Sequence, residues 1–374
     1  MKAEITMKEK QGLYVHIPFC IKKCAYCDFV SCSGMERYFD EYIEEIEKEA
    51  SGYSTETVDT VFIGGGTPTV LSAKQLTKLC CGIKQHISIS DNAEYTIEAN
   101  PKTLDESKLE AIKKSGINRI SIGVQSFNDS ELKAVGRIHN SKEAVRTIEK
   151  VKEYGFCNIN LDIMMNLPNQ TDESLLSTLE TAVGLEPAHL SCYSLILEEN
   201  TPLFEAYKSG KYKEPDQETD RRRYHMTIDF LKKHGYNKYE ISNFAKPGKE
   251  CRHNIKYWSC SEYIGLGAAA HSYYKGERFS NTDDIKRYIS GNHRSGNAEK
   301  LSEKDRISEY MIMKLRMTEG VSEKVFYEKF GKAIKDIYTA QLESFIKKGL
   351  IKHENGFYSL TEYGTDISNY VMCD

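Results

Sequence analysis

The sequence is short of almost everything that would take it out of the ordinary globular class. Of its 374 residues only eight are proline and one is tryptophan, and no internal repeat or low-complexity tract occurs. With 40% hydrophobic and 28% charged residues, the chain is not disordered, fibrous or collagen-like, and it can build a core. No run approaches about eighteen consecutive apolar residues, which excludes a membrane-spanning helix. The opening stretch MKAEITMKEKQG has no apolar segment of the secretory kind, so no export signal is expected. The net charge is −4, so there is no basic field to recruit nucleic acid. The eleven cysteines show no paired disulfide framework. Unpaired thiols in a chain without an export signal point to a reducing cytoplasm.

What is present reads as alternating strands and helices. Strands are expected over 13–17, 60–64, 95–99, 119–124, 158–163 and 190–195, where Val, Ile, Tyr and Phe concentrate. Amphipathic helical patterns lie between them at 35–50, 72–85, 105–115, 141–154 and 171–184. Ser72 suits an N-cap, and Gly116 and Gly155 suit the positions just past a helix C-terminus. Repeated βαβ units predict an α/β fold with a parallel sheet, whose chemistry belongs at the strand carboxyl ends. A polar stretch, GNHRSGNAEKLSEKDR, begins at Gly291 and reads as a loop or linker. Beyond it two helical patterns (307–317 with 322–330, then 334–348) precede a hairpin turning at Glu354-Asn355-Gly356, a winged-helix-like module. The expected organisation is a barrel-forming region at 1–245, a connecting segment at 246–295 and a C-terminal module at 296–374.

The strongest chemical signal is the run Cys20-Ile21-Lys22-Lys23-Cys24-Ala25-Tyr26-Cys27, with spacing C-x3-C-x2-C. Three thiolates suit a cubane iron–sulfur cluster, leaving one iron open to a small chelating molecule. A zinc site would want a fourth ligand, and a dithiol redox pair would have no use for Cys20. The remaining signals are weaker singly. Gly64-Gly65-Gly66-Thr67-Pro68 follows the second strand and allows close backbone approach, or merely a tight turn. It is neither a Walker loop nor G-x-G-x-x-G, so it is no nucleotide-phosphate cradle. Glu98 ends the third strand in Glu-Ala-Asn-Pro, the fourth strand runs into Gln125, Arg137 follows twelve residues on in Val-Gly-Arg-Ile-His, and Asp162 comes twenty-five residues further.

The cysteine spacing resembles the signature of the radical S-adenosylmethionine superfamily. With the Gly-Gly-Gly-Thr-Pro and Glu-Ala-Asn-Pro segments, Gln125, Arg137 and Asp162, the chain resembles the anaerobic coproporphyrinogen oxidase family from residue 12 to about 290. The resemblance implies a partial (β/α)6 TIM-like barrel and a 4Fe-4S cluster on Cys20, Cys24 and Cys27. It implies S-adenosylmethionine on the open iron, cleaved to a 5′-deoxyadenosyl radical by an electron from the cluster, with a separate electron donor as partner. Tyr14, Gly65 and Glu98 match positions that bind this cofactor. Tyr26, Gly66, Thr67, Gln125, Arg137 and Asp162 match positions lining a second cofactor molecule or its surroundings. A β-branched residue at Gly65 is accordingly expected to block the cofactor while sparing the cluster.

Two positions depart from the family pattern. The porphyrinogen-oxidising branch carries a further cysteine two residues past the third ligand, where this chain has Phe29. Asn166 stands where glycine is usual. The Cys-Asp-Phe ending, with His253-Asn254-Ile255-Lys256-Tyr257-Trp258, instead resembles the HemW-type branch of heme chaperones, which implies heme and a heme-accepting protein as partners. His253, with Tyr257 and Trp258, is then a heme-binding candidate, since imidazole ligates heme iron and aromatic faces stack on porphyrin. The alternative for the same residues is loop capping and core packing. His271, in a small-residue run, is a second candidate. Arg221-Arg222-Arg223 either meets heme propionates or forms a solvated helix face. The rival functions are oxygen-independent coproporphyrinogen III oxidase and another radical modifying enzyme on the same barrel.

Overall fold

A computed structural model describes residues 10–373. The first nine residues of the expected barrel region, and Asp374, lie outside the described residues. Six strands, β1 (Gln11–Ile17), β2 (Thr57–Gly65), β3 (Ser88–Ala99), β4 (Arg119–Gln125), β5 (Ile159–Met165) and β6 (His189–Ser194), pair in parallel in chain order. The helices between them are α1 (Phe39–Ser51), α2 (Ala73–His86), α3 (Glu106–Lys114), α4 (Asp129–Ala134), α5 (Ser141–Glu153) and α6 (Asp172–Gly184). Residues of alternate parity on the strands divide the labour. Leu13, Val15, Ile17, Val61 and Ile63 are fully buried in one core with the helices. Burying each such side chain contributes about 1.5–3 kcal/mol. The other parity carries Tyr14, His16, Phe62, Glu98 and Asp162, aligned by register pairs such as Tyr14 with Phe62 and Gly123 with Asp162.

Local signals set the helix ends. Ser72 and Gln75 form a reciprocal capping box at the start of α2. Gly116 and Gly155, just beyond α3 and α5, take φ of 78° and 85°.

After β6 come α7 (Pro202–Lys208), α8 (Gln217–Lys233), β7 (Asn237–Lys238) and β8 (Asn243–Ala245), the last pairing antiparallel with β6. The chain then crosses the barrel as α9 (Arg252–Trp258) and returns on the far side. There β9 (Tyr263–Leu266) lies parallel to β1, followed by β10 (His271–Tyr274), β11 (Glu277–Ser280), α10 (Ile285–Ile289) and β12 (Glu299–Lys300). The result is one twelve-stranded sheet with β12 and β7 at its edges, so the barrel is partial. The stretch from Gly291 is less of a linker than its composition suggests: it contains β12, and a capping box on Ser302 starts α11 (Glu303–Leu315).

A second core joins α11, β13 (Val321–Ser322), α12 (Glu323–Phe330), α13 (Ile334–Lys347), β14 (Ile351–Glu354) and β15 (Phe357–Leu360). Two short helices, α14 (Glu362–Asp366) and α15 (Ser368–Cys373), close the chain. Asn355 and Gly356 take φ of 52° and 79°, the left-handed pair that a two-residue hairpin turn demands. Three helices with a three-stranded antiparallel sheet make this a winged-helix-like module. No helix among the described residues is long and apolar enough to cross a membrane.

Candidate functional site

The three cysteines lie on the loop from β1 to α1, all half-buried. Backbone hydrogen bonds pin this loop at several points. Thr67 N donates to Phe19 O at 2.8 Å and Gly66 N to Ile17 O at 2.9 Å, fastening it to the glycine turn after β2. Ala25 N donates to Val135 O at 3.0 Å, and Leu203 N to Ala25 O at 2.8 Å. Cys20 N and Cys32 O pair at 2.8 Å, so Cys32 closes the base of the loop. Around the sulfurs, Arg137 Nη1 donates to Cys24 Sγ at 3.4 Å, and Cys20 Sγ lies 3.7 Å from Thr67 Oγ1. Burial holds the Cys20 and Cys27 thiols above their ordinary pKa. Among the described residues no three His, Cys, Asp or Glu side chains converge as one metal ion would require. In a cubane each thiolate meets a different iron, and three cysteines on one anchored loop, with a guanidinium alongside, fit that donor set.

The other site candidates gather around the same mouth. Gly65 N donates to Glu98 Oε2 at 3.0 Å. Burial, reinforced by Asp162, pushes the Glu98 carboxyl up to about 8. Asp162 accepts from Asn160 Nδ2 at 2.7 Å, and burial raises it as well. Arg137 bridges from Cys24 to the carbonyl of Gly123, and the Tyr26 hydroxyl feels its charge. Gln125, held at φ 70°, accepts from Tyr193 OH at 3.2 Å. Thus Gly65, Gly66, Thr67, Glu98 and Gln125 sit at or just past carboxyl ends of the barrel strands and Tyr26 and Arg137 on the connections that follow, while Tyr14 and Asp162 stand mid-strand in β1 and β5. Sequence reasoning missed three neighbours. His16 bonds Tyr14 OH at 2.8 Å and Val30 O at 2.9 Å, tying the far end of the cysteine loop to β1. Tyr193 and the buried Arg119 face the same interior. Strand parity shared with Tyr14 and Asp162 is the signal that finds all three.

Glu98 carries a pH prediction. As pH rises from the ordinary carboxyl range to about 8, the unfolded chain releases this proton while the folded chain keeps it. The apoprotein therefore loses stability on the order of 1.4 kcal/mol per pH unit from this group, a loss that Glu98→Gln escapes. Melting curves at pH 5 and pH 8 should show the variant gaining on the wild type; an equal gap at both would refute a buried, proton-retaining carboxyl.

The structure corrects the expectation for His253. It lies in the first turn of α9, which plugs the amino end of the barrel, and Glu94 accepts from the backbone N of Arg252 and His253, each at 3.0 Å. Its ring stacks on Phe62, with Nδ1 2.9 Å from Thr60 Oγ1 and Nε2 2.9 Å from Tyr257 OH. Burial drives its pKa down to about 3. Both nitrogens are committed, so this is the packing alternative and not an open iron ligand. Tyr257 and Trp258, one turn further on, do reach a cavity wall. The arginine run is neither a propionate site nor a bare solvated face. Arg221 pairs with Asp220 and Asp366, Arg222 with Asp172, and buried Arg223 with Asp172 at 2.9 Å. Asn166 keeps the left-handed backbone that glycine would supply (φ 63°), and its amide accepts from Arg223 Nη1 at 3.0 Å.

Comparison with known proteins agrees with this geometry. Residues 14–182 match the radical SAM superfamily, and residues 301–367 match the HemN C-terminal domain. The chain is 39% identical to the heme chaperone HemW of Bacillus subtilis (strain 168), over 97% of this chain and 98% of that one. The chain belongs to the HemW family. The Escherichia coli (strain K12) HemW is 33% identical over 96% of this chain and 97% of its own length. In fold, the structure of coproporphyrinogen III oxidase (HemN) from Escherichia coli superimposes with a TM-score of 0.85 at 24% identity, covering 98% of this chain and 90% of that one. Membership of the radical SAM superfamily implies a 4Fe-4S cluster and S-adenosylmethionine.

Proposed function

We propose that this chain is a heme chaperone of the radical SAM type: it binds heme and passes it to an acceptor protein. The observation that carries this reading is full-length kinship with HemW proteins in a chain with Phe29 where the porphyrinogen-oxidising branch has cysteine. Cys20, Cys24 and Cys27 hold the cluster, with Arg137 offsetting negative charge at Cys24. Tyr14, Gly65 and Glu98 take the S-adenosylmethionine, whose ribose hydroxyls suit the Glu98 carboxyl. Tyr26, Gly66, Thr67, Gln125, Arg137 and Asp162 line the space beyond it. When bound, the cluster supplies one-electron chemistry, and a separate electron donor reduces it. Heme occupies a neighbouring surface involving residues 250–275. The protein works in the cytoplasm and has no nucleic-acid partner, in keeping with a net charge of −4.

The test is direct. Purified protein mixed with ferric heme should develop a shifted Soret band and then lose it to an apoprotein acceptor, with apomyoglobin as the probe. Anaerobic assays with S-adenosylmethionine, reductant and coproporphyrinogen III should leave the porphyrinogen intact. Repeated turnover to protoporphyrinogen would instead establish the oxidase.

A further inference from the structure

We propose that the cavity between the cysteine loop and the β9–β10 turn is the porphyrin site, and that His271 is the protein ligand to the heme iron. This rests on the heme-chaperone reading and assigns it a place. The cavity encloses about 620 Å3 beside β1, a volume typical of small-molecule sites. One wall is the end of the cysteine loop, Asp28-Phe29-Val30; another carries Tyr257 and Trp258 from α9; Tyr263 and Tyr273 come from the sheet. Phe29 is 64% exposed there, although large apolar side chains usually find cover. A wall of aromatic rings suits a flat, apolar macrocycle.

Of the chain's ten histidines only His16 and His271 reach this cavity. His16 is closed to iron because both its nitrogens are hydrogen-bonded, at 2.8 and 2.9 Å. His271 is exposed and makes no side-chain hydrogen bond among the described residues. The backbone aims it. Gly267 at φ 97° and Ala269 at φ 59° make a tight left-handed turn just before β10, and a Cβ on Gly265 would strike the His271 carbonyl. Cys260 also lines the cavity, but burial pushes its thiol up to about 11, so it carries little of the thiolate that iron would take. Arg278 stands at the rim over Tyr273; its Nη2 is paired with Glu309, while its Nε is buried without a partner. The cavity beside β6 offers no imidazole.

The experiment compares wild type, His271→Ala and Cys260→Ser with ferric heme and with metal-free protoporphyrin IX. Binding is followed by the Soret band and by emission from Trp258, the chain's one tryptophan, which sits in the cavity wall. His271→Ala should alter the Soret position and spin state and weaken ferric heme by at least about tenfold. Its affinity for the metal-free porphyrin, which needs no axial ligand, should match wild type, as should its cluster iron. Cys260→Ser should behave as wild type throughout. If wild type binds heme and His271→Ala leaves the spectrum unchanged, the site is wrong and the chaperone function stands. If Cys260→Ser alone shifts the band, the cavity is right and the ligand is wrong. If wild type shows no heme band, the function itself falls.

Discussion

Cys24→Ala should fold, melt like the cluster-free wild type, and fail to hold iron. The wild type, reconstituted anaerobically, should carry about four irons per chain and absorb broadly in the visible region. The expectation of intact folding comes from how the loop is fixed. Its anchors are backbone hydrogen bonds at Ile17, Phe19, Ala25 and Cys32, and none uses the Cys24 side chain. The expectation of lost iron comes from the donor count, because two thiolates hold a cubane poorly. Cys32→Ala is the control. Its sulfur faces the Pro18 carbonyl at 3.5 Å, and its structural contribution is made by backbone atoms, so iron content should stay at the wild-type level. Wild-type iron in Cys24→Ala would refute the cluster assignment; lost iron in Cys32→Ala as well would mean that the loop geometry, not the ligand count, controls loading.

How much of this was legible in the sequence divides along physical lines. All six barrel strands overlap their expected positions, because a parallel strand covered by helices is a compact run of β-formers closed by a turn. Ser72, Gly116 and the Asn355-Gly356 turn were legible because capping and left-handed turns are chemistry of adjacent residues. What stayed hidden is non-local. Nothing within Tyr263–Leu266 announces that it pairs parallel with β1, some 250 residues earlier in the chain. Nor does His253-Asn254-Ile255-Lys256-Tyr257-Trp258 reveal that its histidine faces Thr60 in the barrel floor while its last two residues face a cavity. Both ring nitrogens of the motif's histidine are taken by packing partners, and only its Tyr257 and Trp258 reach the cavity. His16 was missed because its importance lies in two hydrogen bonds that close only when Val30 folds back beside β1.

Those two bonds change what substitution at Gly65 should do. The expectation from sequence was loss of cofactor binding alone. In the structure, Gly65 sits at φ 110°, and a Cβ there would lie 2.6 Å from Cε1 and Nδ1 of the His16 ring. The ring cannot simply swing aside, because Tyr14 holds one nitrogen and the Val30 carbonyl the other. Gly65→Ala should therefore cost on the order of 1–3 kcal/mol through the backbone alone, with the clash added. It should also loosen the Val30 end of the cysteine loop, reducing both S-adenosylmethionine affinity and cluster iron. A double-mutant cycle separates the two contributions. His16→Ala removes the ring, so adding it to Gly65→Ala should relieve the clash and leave only the φ strain. The pair should then be coupled by about 0.5–3 kcal/mol in melting experiments, the double variant being more stable than the two single losses added together. Additive losses, or a Gly65→Ala variant that loses cofactor but keeps full iron, would return Gly65 to the simpler role of leaving room for the cofactor.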